Sequence, residues 1–479
     1  MASTKTNLNY KKIKRQDFKY RKVDDRVKDY KSIYEEYTED FIKLQASRCQ
    51  DCGIPFCHGF GCPLSNMIPD FNDLVYKGLW KDALDMLHRT NNFPEITGIV
   101  CPALCEESCT LNVGLEPVTI RNIELAIVEK GFENGWIVPE LPKIRSGKSV
   151  AIIGSGPAGL VAAQDLNRKG HKVTVFEKDK KPGGFLRYGI PDFKLEKYII
   201  DRRINQLIAE GVDFNTNVYV GEDIKVSELK KKYDAILLAC GSRESRDLKI
   251  EGRELKGIYF AIDYLTQSNN RVAGEKILES ELIDAKDKNV VVIGGGDTGA
   301  DCIGTARRQG AKNIYQLEIL PEPPEDRANE TPWPMFAKKL RTSSSHNEGC
   351  ERYWSVLTKK FIGENGKVTK VTGLYVDWIN DNGKFTMKEK KGTEFEFKAD
   401  LIILAMGFTH PEHNKLIKDF NVTLDDRGNI KTDNFGYGKT NIDSVFAAGD
   451  ASRGASLVVW AFSHAKDVSL VIDKYLREK

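Results

Sequence analysis

The stretch that decides the fold reads VAIIGSGPAGL, residues 150–160. Its first four residues form an apolar run typical of a buried strand, and Gly154, Gly156 and Gly159 follow at G-x-G-x-x-G spacing. The first glycine of that motif makes the strand-to-helix turn, the second lets the backbone approach a pyrophosphate, and the third lets helix and strand pack closely. The free N–H groups at the start of the following helix attract phosphate.

A second strand and an acidic residue complete the pattern. Residues 172–176 are again largely apolar, and Glu177 at their end can accept hydrogen bonds from ribose hydroxyls. A glycine triplet alone is compatible with a plain sharp turn. With both strands and the acid in place, the stretch predicts a dinucleotide-binding βαβ fold.

The same pattern recurs further along the chain, within VVIGGGDTGADC, residues 291–302. A strand predicted over 313–319 brings Glu318 to a position comparable to Glu177. Two such folds in one chain favour a flavin paired with a nicotinamide donor over a single dehydrogenase. The candidate cofactor-binding residues of this second fold are Gly294, Gly296, Asp297, Thr298 and Gly299.

Two further segments are candidates for contact with the flavin. Adjacent glycines in the loop at 182–191 permit close backbone approach to a ring, although a surface turn would look the same. Near the carboxyl terminus, a strand at 444–450 ends in an acid and precedes an apolar helix predicted over 457–475, whose start would stabilise negative charge on a reduced flavin. A helix cap is the alternative role for that acid. The candidate residues are Gly184, Arg187, Gly449, Asp450, Ser456 and Leu457.

Seven of the chain's ten cysteines lie in its first 145 residues, in two groups. A structural zinc site takes four ligands and would leave three thiols over, whereas two four-iron clusters need eight ligands, one more than these cysteines supply. Inert buried thiols are a third interpretation. The groups are Cys49, Cys52, Cys57 and Cys62, then Cys101, Cys105 and Cys109.

Composition limits the class of protein. The length of 479 residues predicts about three domains. The net charge of +3 gives no reason to expect a nucleic-acid partner, and no apolar run predicts a secretion signal or a membrane span. Cysteine-rich chains without a signal peptide are typical of a reducing, cytoplasmic compartment. A basic arm at 5–31 is either a solvated segment or a docking element for an acidic partner.

The predicted fold class is therefore α/β, with two Rossmann-like nucleotide-binding domains, one inserted in the other, preceded by an α-helical iron–sulfur domain. Helices are predicted at 32–44 and 79–88, and antiparallel strands over 369–397. The predicted domains are 1–145 for the clusters, 146–260 with 409–479 for FAD, and 261–408 for NAD(P)H.

These motifs resemble those of the small (beta) subunits of glutamate synthase, over essentially the whole chain. They are AxRCxDCGIPFCH at 46–58, NNFPEITGxVCPAxCExxC at 91–109, and GSGPAGL at 154–160. GGGDTGADC, AAGD and SLVVWA follow at 294–302, 447–450 and 456–461. The module is also similar to the amino-terminal half of dihydropyrimidine dehydrogenase and to larger subunits of ferredoxin–NADP transhydrogenases. The resemblance implies FAD and two [4Fe-4S] clusters.

The resemblance also implies which residues hold each cluster. One cluster would take Cys49, Cys52, Cys57 and Cys109. The other would take Cys62, Cys101 and Cys105 and a non-cysteine ligand, for which the position after Pro117 that matches a glutamine of dihydropyrimidine dehydrogenase is Glu124.

The expected activity is oxidation of NADPH or NADH, with hydride passing to FAD and single electrons passing through the clusters to a large (alpha) subunit that makes glutamate from glutamine and 2-oxoglutarate. No catalytic side chain is predicted, because hydride transfer to a flavin needs no obligatory acid or base. The alternatives are a flavin subunit of another NAD(P)H:acceptor oxidoreductase, of the transhydrogenase or dihydropyrimidine dehydrogenase type, and a non-catalytic zinc scaffold.

The choice of nicotinamide depends on opposing charges. Glu318 favours NADH, because its carboxylate would repel a 2′-phosphate. Arg307, Arg308 and Lys312 precede the same strand and favour NADPH, since an arginine can hold a phosphate with two hydrogen bonds. The three cations tip the prediction narrowly to NADPH.

Overall fold

The computed structural model describes residues 9–381, 384–433 and 436–479. The first part of the basic arm, one pair of residues within the predicted antiparallel strands and one pair within the predicted second FAD segment therefore lie outside the described residues.

The amino-terminal region is helical, as predicted. A short π-helix at Cys57–Gly61 and a 3₁₀ turn at Thr110–Val113 interrupt it at the two cysteine groups. Its helices are α1 (Asn9–Lys12), α2 (Val23–Arg26), α3 (Glu39–Ala46), α4 (Ile68–Tyr76), α5 (Trp80–His88), α6 (Pro94–Val100), α7 (Leu104–Glu107) and α8 (Ile120–Glu133).

The predicted helix at 32–44 begins too early. The hydroxyl of Thr38 accepts a hydrogen bond from the backbone N–H of Phe41 at 3.2 Å, so the chain enters α3 only at Glu39. Before that cap, Tyr34 pairs with Tyr20 in an isolated β-bridge, which commits this segment to extended structure.

The remainder of the chain alternates strands and helices. The strands are β1 (Ser149–Ile153), β2 (Lys172–Phe176), β3 (Asp213–Asn215), β4 (Ala235–Leu238), β5 (Ile258–Phe260), β6 (Asn289–Ile293), β7 (Asn313–Leu317), β8 (Glu351–Tyr353), β9 (Val356–Glu364), β10 (Lys367–Asp381), β11 (Lys384–Lys398), β12 (Leu401–Leu404) and β13 (Val445–Ala447). The helices are α9 (Pro157–Arg168), α10 (Phe185–Tyr188), α11 (Lys197–Ala209), α12 (Val226–Lys232), α13 (Ala261–Val272), α14 (Asp297–Arg308), α15 (Ser344–Asn347), α16 (Lys415–Phe420), α17 (Asp450–Arg453) and α18 (Val458–Glu478), with a 3₁₀ turn at Glu279–Glu281.

Two five-stranded parallel sheets follow from this alternation. The first has the order β13-β4-β1-β2-β3 and the second β5-β12-β6-β7-β8. In each, the strand that leads into a glycine-rich loop (β1 or β6) lies at the centre, where strand order reverses and where open α/β sheets bind their ligands. The central strands are almost wholly buried, which explains their continuous apolar runs.

The first sheet takes strands from both sides of the second, which confirms the predicted fold class with one nucleotide-binding unit inserted in the other. The predicted antiparallel strands form a third sheet, β11-β10-β9. Because β5 pairs with β12, we propose that the inserted unit begins before Ile258 and not at the predicted residue 261. Within the described ranges, no helix has both the length and the apolar composition needed to cross a bilayer.

Candidate functional site

A deep cleft opens at the carboxyl edge of the first sheet. Its walls come from the loop after β1, the end of β2, the loop that leads into α10, and the start of α18. Of the residues predicted to bind the flavin, those that line the cleft are Gly154, Gly156, Glu177, Gly184, Asp450 and Ser456.

The three glycines of the first loop have different surroundings. A Cβ on Gly154 would lie 2.5 Å from the carbonyl oxygen of Ala239, and a Cβ on Gly159 would collide with the carbonyl of Gly154. A Cβ on Gly156 would meet nothing within 4 Å. The outer two glycines therefore allow strand and helix to pack, while the middle one leaves open space where a pyrophosphate would approach. This is the arrangement that a dinucleotide requires, so the cleft fits FAD.

Glu177 is held against this loop. One oxygen of its buried carboxylate accepts from the backbone N–H of Ser155 at 3.0 Å and from the Ser155 hydroxyl. The other accepts from the N–H of Asp179 at 2.9 Å. These bonds fix the carboxylate at the carboxyl end of β2, where the ribose of a bound dinucleotide lies.

Gly184 and Arg187, both predicted to contact the flavin, have different surroundings. Gly184 has a φ of +52°, and a Cβ there would lie 2.9 Å from the Cα of Gly156, so the two loops touch through glycine backbones. The Arg187 guanidinium turns away from the cleft, donating to the carbonyl of Pro182 at 2.6 Å and pairing with Asp201. Its sequence neighbours gave no sign of these partners.

Arg243 is the arginine at the cleft wall, and the sequence analysis missed it. Its guanidinium donates to Asp179 at 3.2 Å and lies 5.4 Å from the ring centre of Phe185, which also lines the cleft. Its position in the sequence could have identified it. Arg243 lies three residues after Cys240, just beyond the carboxyl end of β4, where residues of such sheets contact their ligands.

The carboxyl-terminal candidates lie at the opposite wall. Gly449 has a φ of +67°, and a Cβ there would lie 2.6 Å from the Cβ of Ala158, so α17 packs closely on α9. Burial raises the pKa of Asp450, whose carboxylate accepts from the Ser456 hydroxyl at 2.6 Å. Leu457 directly precedes α18, the helix that closes this wall.

The second glycine loop repeats this geometry at the centre of the second sheet. A Cβ on Gly294 or on Gly299 would collide with the carbonyl of Ala405 or of Gly294, respectively, whereas a Cβ on Gly296 would meet nothing within 4 Å. Asp297 and Thr298 begin α14, with Asp297 exposed and Thr298 half-buried. The loop therefore has the space and the free N–H groups that a nicotinamide dinucleotide needs.

The side chain of Glu318 points towards the second glycine loop. β7 ends at Leu317, and the Glu318 carboxylate turns towards the glycine loop, accepting from the N–H of Gly295 at 2.5 Å and from that of Leu320 at 2.9 Å. Its position repeats that of Glu177 in the first fold.

A polar chain behind this loop was not predicted. The amide of Gln316 donates to the carbonyl of Gly294 at 2.9 Å, and its oxygen faces Nε2 of His346 at 3.0 Å. Since Nδ1 of His346 accepts from the N–H of Ser343, the ring proton lies on Nε2 and is donated to Gln316. Burial lowers the pKa of His346 to about 4, so the ring is neutral near pH 7.

The basic residues predicted to hold a 2′-phosphate lie at the wrong end of the sheet. Arg307 and Arg308 end α14, whose twelve residues span about 18 Å from the glycine loop. Arg307 lies against Gly349. Arg308 is fully buried in an ion pair with Glu348 at 2.6 Å and also donates to the carbonyl of Asp29. Both lie at the end of α14 remote from the carboxyl edge, which weighs against their predicted contact with a 2′-phosphate.

The seven amino-terminal cysteines come together in two groups. Within each group, neighbouring charged side chains raise the pKa of the thiols. Burial raises the pKa of Cys57, and the neighbouring thiols of Cys109, Cys49 and Cys52 raise it further. Burial likewise raises the pKa of both Cys62 and Cys101 to about 12, and Glu124 adds to both shifts. Glu124 and these two cysteines also raise the pKa of Cys105.

Glu124 thus lies among the second group of thiols, the position expected for the missing ligand. It is fully enclosed, burial raises its pKa to about 7, and one carboxylate oxygen accepts from the side-chain amide of Asn66 at 2.8 Å. A carboxylate in an apolar interior is costly unless it is paired or bound to metal.

The two kinds of metal centre use such thiolates differently. Structural zinc takes a tetrahedral set of four ligands, whereas a four-iron cluster places each thiolate on a different iron. In the parts of the chain that are described, no three His, Cys, Asp or Glu side chains converge on a single metal ion.

Two family descriptions cover most of the chain. Residues 26–136 match dihydropyrimidine dehydrogenase domain II, 4Fe-4S cluster, and residues 148–465 match pyridine nucleotide-disulphide oxidoreductase. The glutamate synthase [NADPH] small chain of Mycobacterium tuberculosis is 48% identical over 96% of this chain and 93% of its own length. That of Bacillus subtilis is 46% identical over 94% of each.

The chain belongs to the glutamate synthase small-chain family. This confirms the resemblance found in the motifs, and with it FAD and iron–sulfur cofactors in an NAD(P)H-dependent oxidoreductase. The glutamate synthase [NADH] of Schizosaccharomyces pombe is 45% identical over 97% of this chain but over only 22% of its own length, so this family module is also part of much longer chains.

Solved structures agree on the fold. FprA of Mycobacterium tuberculosis, in complex with NADPH, has a TM-score of 0.55 and 20% identity over 69% of this chain and 85% of its own. At that identity the likeness concerns the fold alone.

Proposed function

We propose that this chain is the electron-input subunit of a glutamate synthase. It oxidises NADPH or NADH and supplies electrons to a large (alpha) subunit, which converts L-glutamine and 2-oxoglutarate to two L-glutamates. The observation that carries this proposal is the pair of four-ligand groups packed against the domain that holds the flavin cleft. A dehydrogenase that kept its electrons on the flavin would need neither group.

The residues proposed to hold the flavin are the cleft residues described above, with Glu177 towards the ribose and Asp450 and α18 on the opposite wall. The second glycine loop, with Glu318 at its edge, would hold the nicotinamide dinucleotide. When bound, FAD accepts an electron pair from the reduced nicotinamide and the clusters carry electrons singly. This chain supplies positions, hydrogen bonds and exclusion of water.

The packing gives the two cysteine groups an order. α6 leads directly into Cys101 and packs on α18, with the rings of Phe93 and Phe462 5.7 Å apart. The first turn of α18 lines the flavin cleft. We infer from this packing that the group with Glu124 lies nearer the flavin. Its members are all buried, whereas Cys49 and Cys52 of the other group are partly exposed. This order supports transfer from the cleft to the surface.

We also propose the domain limits 1–145 for the clusters, 409–479 together with the segment from 146 to the start of β5 for FAD, and the intervening segment for NAD(P)H. A cytoplasmic location, with neither nucleic acid nor membrane as partner, is supported by ten free cysteines and a nearly balanced charge.

Anaerobically prepared protein tests this function. We expect about eight iron atoms per chain, as two four-iron clusters require, and bleaching of the flavin absorbance by reduced nicotinamide in this chain alone. Zinc in place of iron, or a flavin that reduced nicotinamide does not bleach, would contradict the proposal.

A further inference from the structure

Five large apolar side chains are exposed around the first cysteine group. They lie on separate segments that meet there, and their exposed fractions run from 44% to 79%. We call this surface the cluster face; its residues are Ile54, Phe60, Val113, Leu115 and Met335.

Contacts tie these segments to the cysteines. The sulfur of Cys52 lies 3.2 Å from the Thr110 hydroxyl, which brings the segment of Ile54 to that of Val113. Trp333 donates to the carbonyl of Cys109 at 3.3 Å, and its ring lies 4.6 Å from that of Phe56. The segments of the cluster face therefore meet at Cys52 and Cys109, in the group that includes the partly exposed thiols of Cys49 and Cys52.

The edge of the cluster face near Leu115 carries more basic than acidic side chains. Lys11, Lys14 and Glu116 line the same surface hollow as Leu115, and all three are exposed. Neither lysine forms an ion pair within the described part of the chain. Contiguous exposed apolar surface rimmed by charge marks a protein interaction site, and the sign of the rim indicates an acidic partner.

We propose that the cluster face is the docking surface for the large subunit of glutamate synthase, which meets it with an apolar patch bordered by acidic residues. This inference rests on the proposed function. The choice of occupant rests on two observations: the partly exposed thiols beneath the face, and relatives in which this module is fused to the rest of glutamate synthase.

The test is the affinity of the intact holo-protein for the recombinant large subunit of the same organism. Val113→Glu should raise Kd about tenfold or more, because a charge is placed at the centre of an apolar contact. The control is Leu278→Glu, in the inserted unit, because Leu278 is as exposed at 67% as Val113 is at 65%. The control should bind like the wild type, and both variants should retain iron and flavin reduction.

A second pair of variants covers the case in which Val113→Glu disturbs the cluster. Lys11→Glu with Lys14→Glu should weaken binding and lower its salt dependence, while Lys312→Glu, an exposed lysine elsewhere, should not. If Val113→Glu and the double lysine variant bind as tightly as their controls, the docking surface is refuted and the proposed function stands. If the wild-type chain fails to bind the large subunit, both proposals fail.

Discussion

Arg308 and Glu318 carry opposite charges, but only Glu318 lies at the sheet edge where a nucleotide binds. In the sequence, Arg308 shortly precedes β7 and Glu318 directly follows it. The sequence could not show that the Arg308 side chain is buried against Glu348, because those residues lie far apart along the chain. The partner of Arg187 was equally hidden from the sequence, since Asp201 lies on the next helix.

Arg308→Ala should act on stability and not on the choice of donor. It removes one member of a buried Arg26–Glu348–Arg308 cluster, and breaking such a pair costs about 3 kcal/mol. We expect a lower midpoint of thermal unfolding and an unchanged ratio of kcat/KM for NADPH over NADH. Lys312→Ala is the control. A selective loss of NADPH activity would place Arg308 at the phosphate after all.

Glu318→Gln should raise the ratio of kcat/KM for NADPH over NADH. The substitution keeps an oxygen that can accept from the N–H of Gly295 but removes the charge that repels a 2′-phosphate. Steady-state kinetics with both donors measures it. An unchanged ratio would mean that Glu318 does not face the adenosine ribose.

Glu124 offers a sharper test of the cluster ligands. Glu124→Ala should reduce the iron from about eight to about four atoms per chain, since one four-iron cluster loses a ligand. Glu124→Gln keeps a ligand oxygen and should retain more of the iron. Wild-type iron content in Glu124→Ala would remove this residue from the ligand set.

At the scale of elements, the central strands and glycine loops were predictable, because a buried strand followed by G-x-G-x-x-G is typical of one structure: a strand, a tight turn and a closely packed helix. The ends of elements were not. β7 stops two residues before its predicted end, and α3 starts seven residues after its predicted start, since local caps and bonds decide ends. The hydrogen bonds that run from Gly294 through Gln316 to His346 were not predictable either, because no sequence motif connects these segments.

His346, at the end of these hydrogen bonds, should make the stability of the protein depend on pH. In the folded protein burial lowers the pKa of His346 to about 4, whereas an unfolded histidine titrates near 6.5. Between these values the unfolded state binds the extra proton, so stability falls as the pH falls, by at most about 1.4 kcal/mol per pH unit. His346→Gln should lose that part of the slope between pH 6.5 and 5.5 in thermal unfolding. An unaltered slope would show that His346 does not titrate there.

At the scale of the whole molecule, the chain combines a nicotinamide loop, a flavin cleft and two cysteine groups, one of which borders an apolar surface. The sequence motifs predicted the components, because each cofactor demands its own residue pattern. They did not predict the cluster face, because its apolar residues come from three separate segments and have no common motif.

The central claim is that this chain supplies electrons for glutamate formation and does not form glutamate itself. The direct measurement is anaerobic assay of glutamate from glutamine, 2-oxoglutarate and reduced nicotinamide, with and without the large subunit. We predict that the chain alone bleaches its flavin but makes no glutamate, and that adding the large subunit gives two glutamates for each nicotinamide oxidised. Glutamate formed by the isolated chain, or none formed by the pair, would contradict this account.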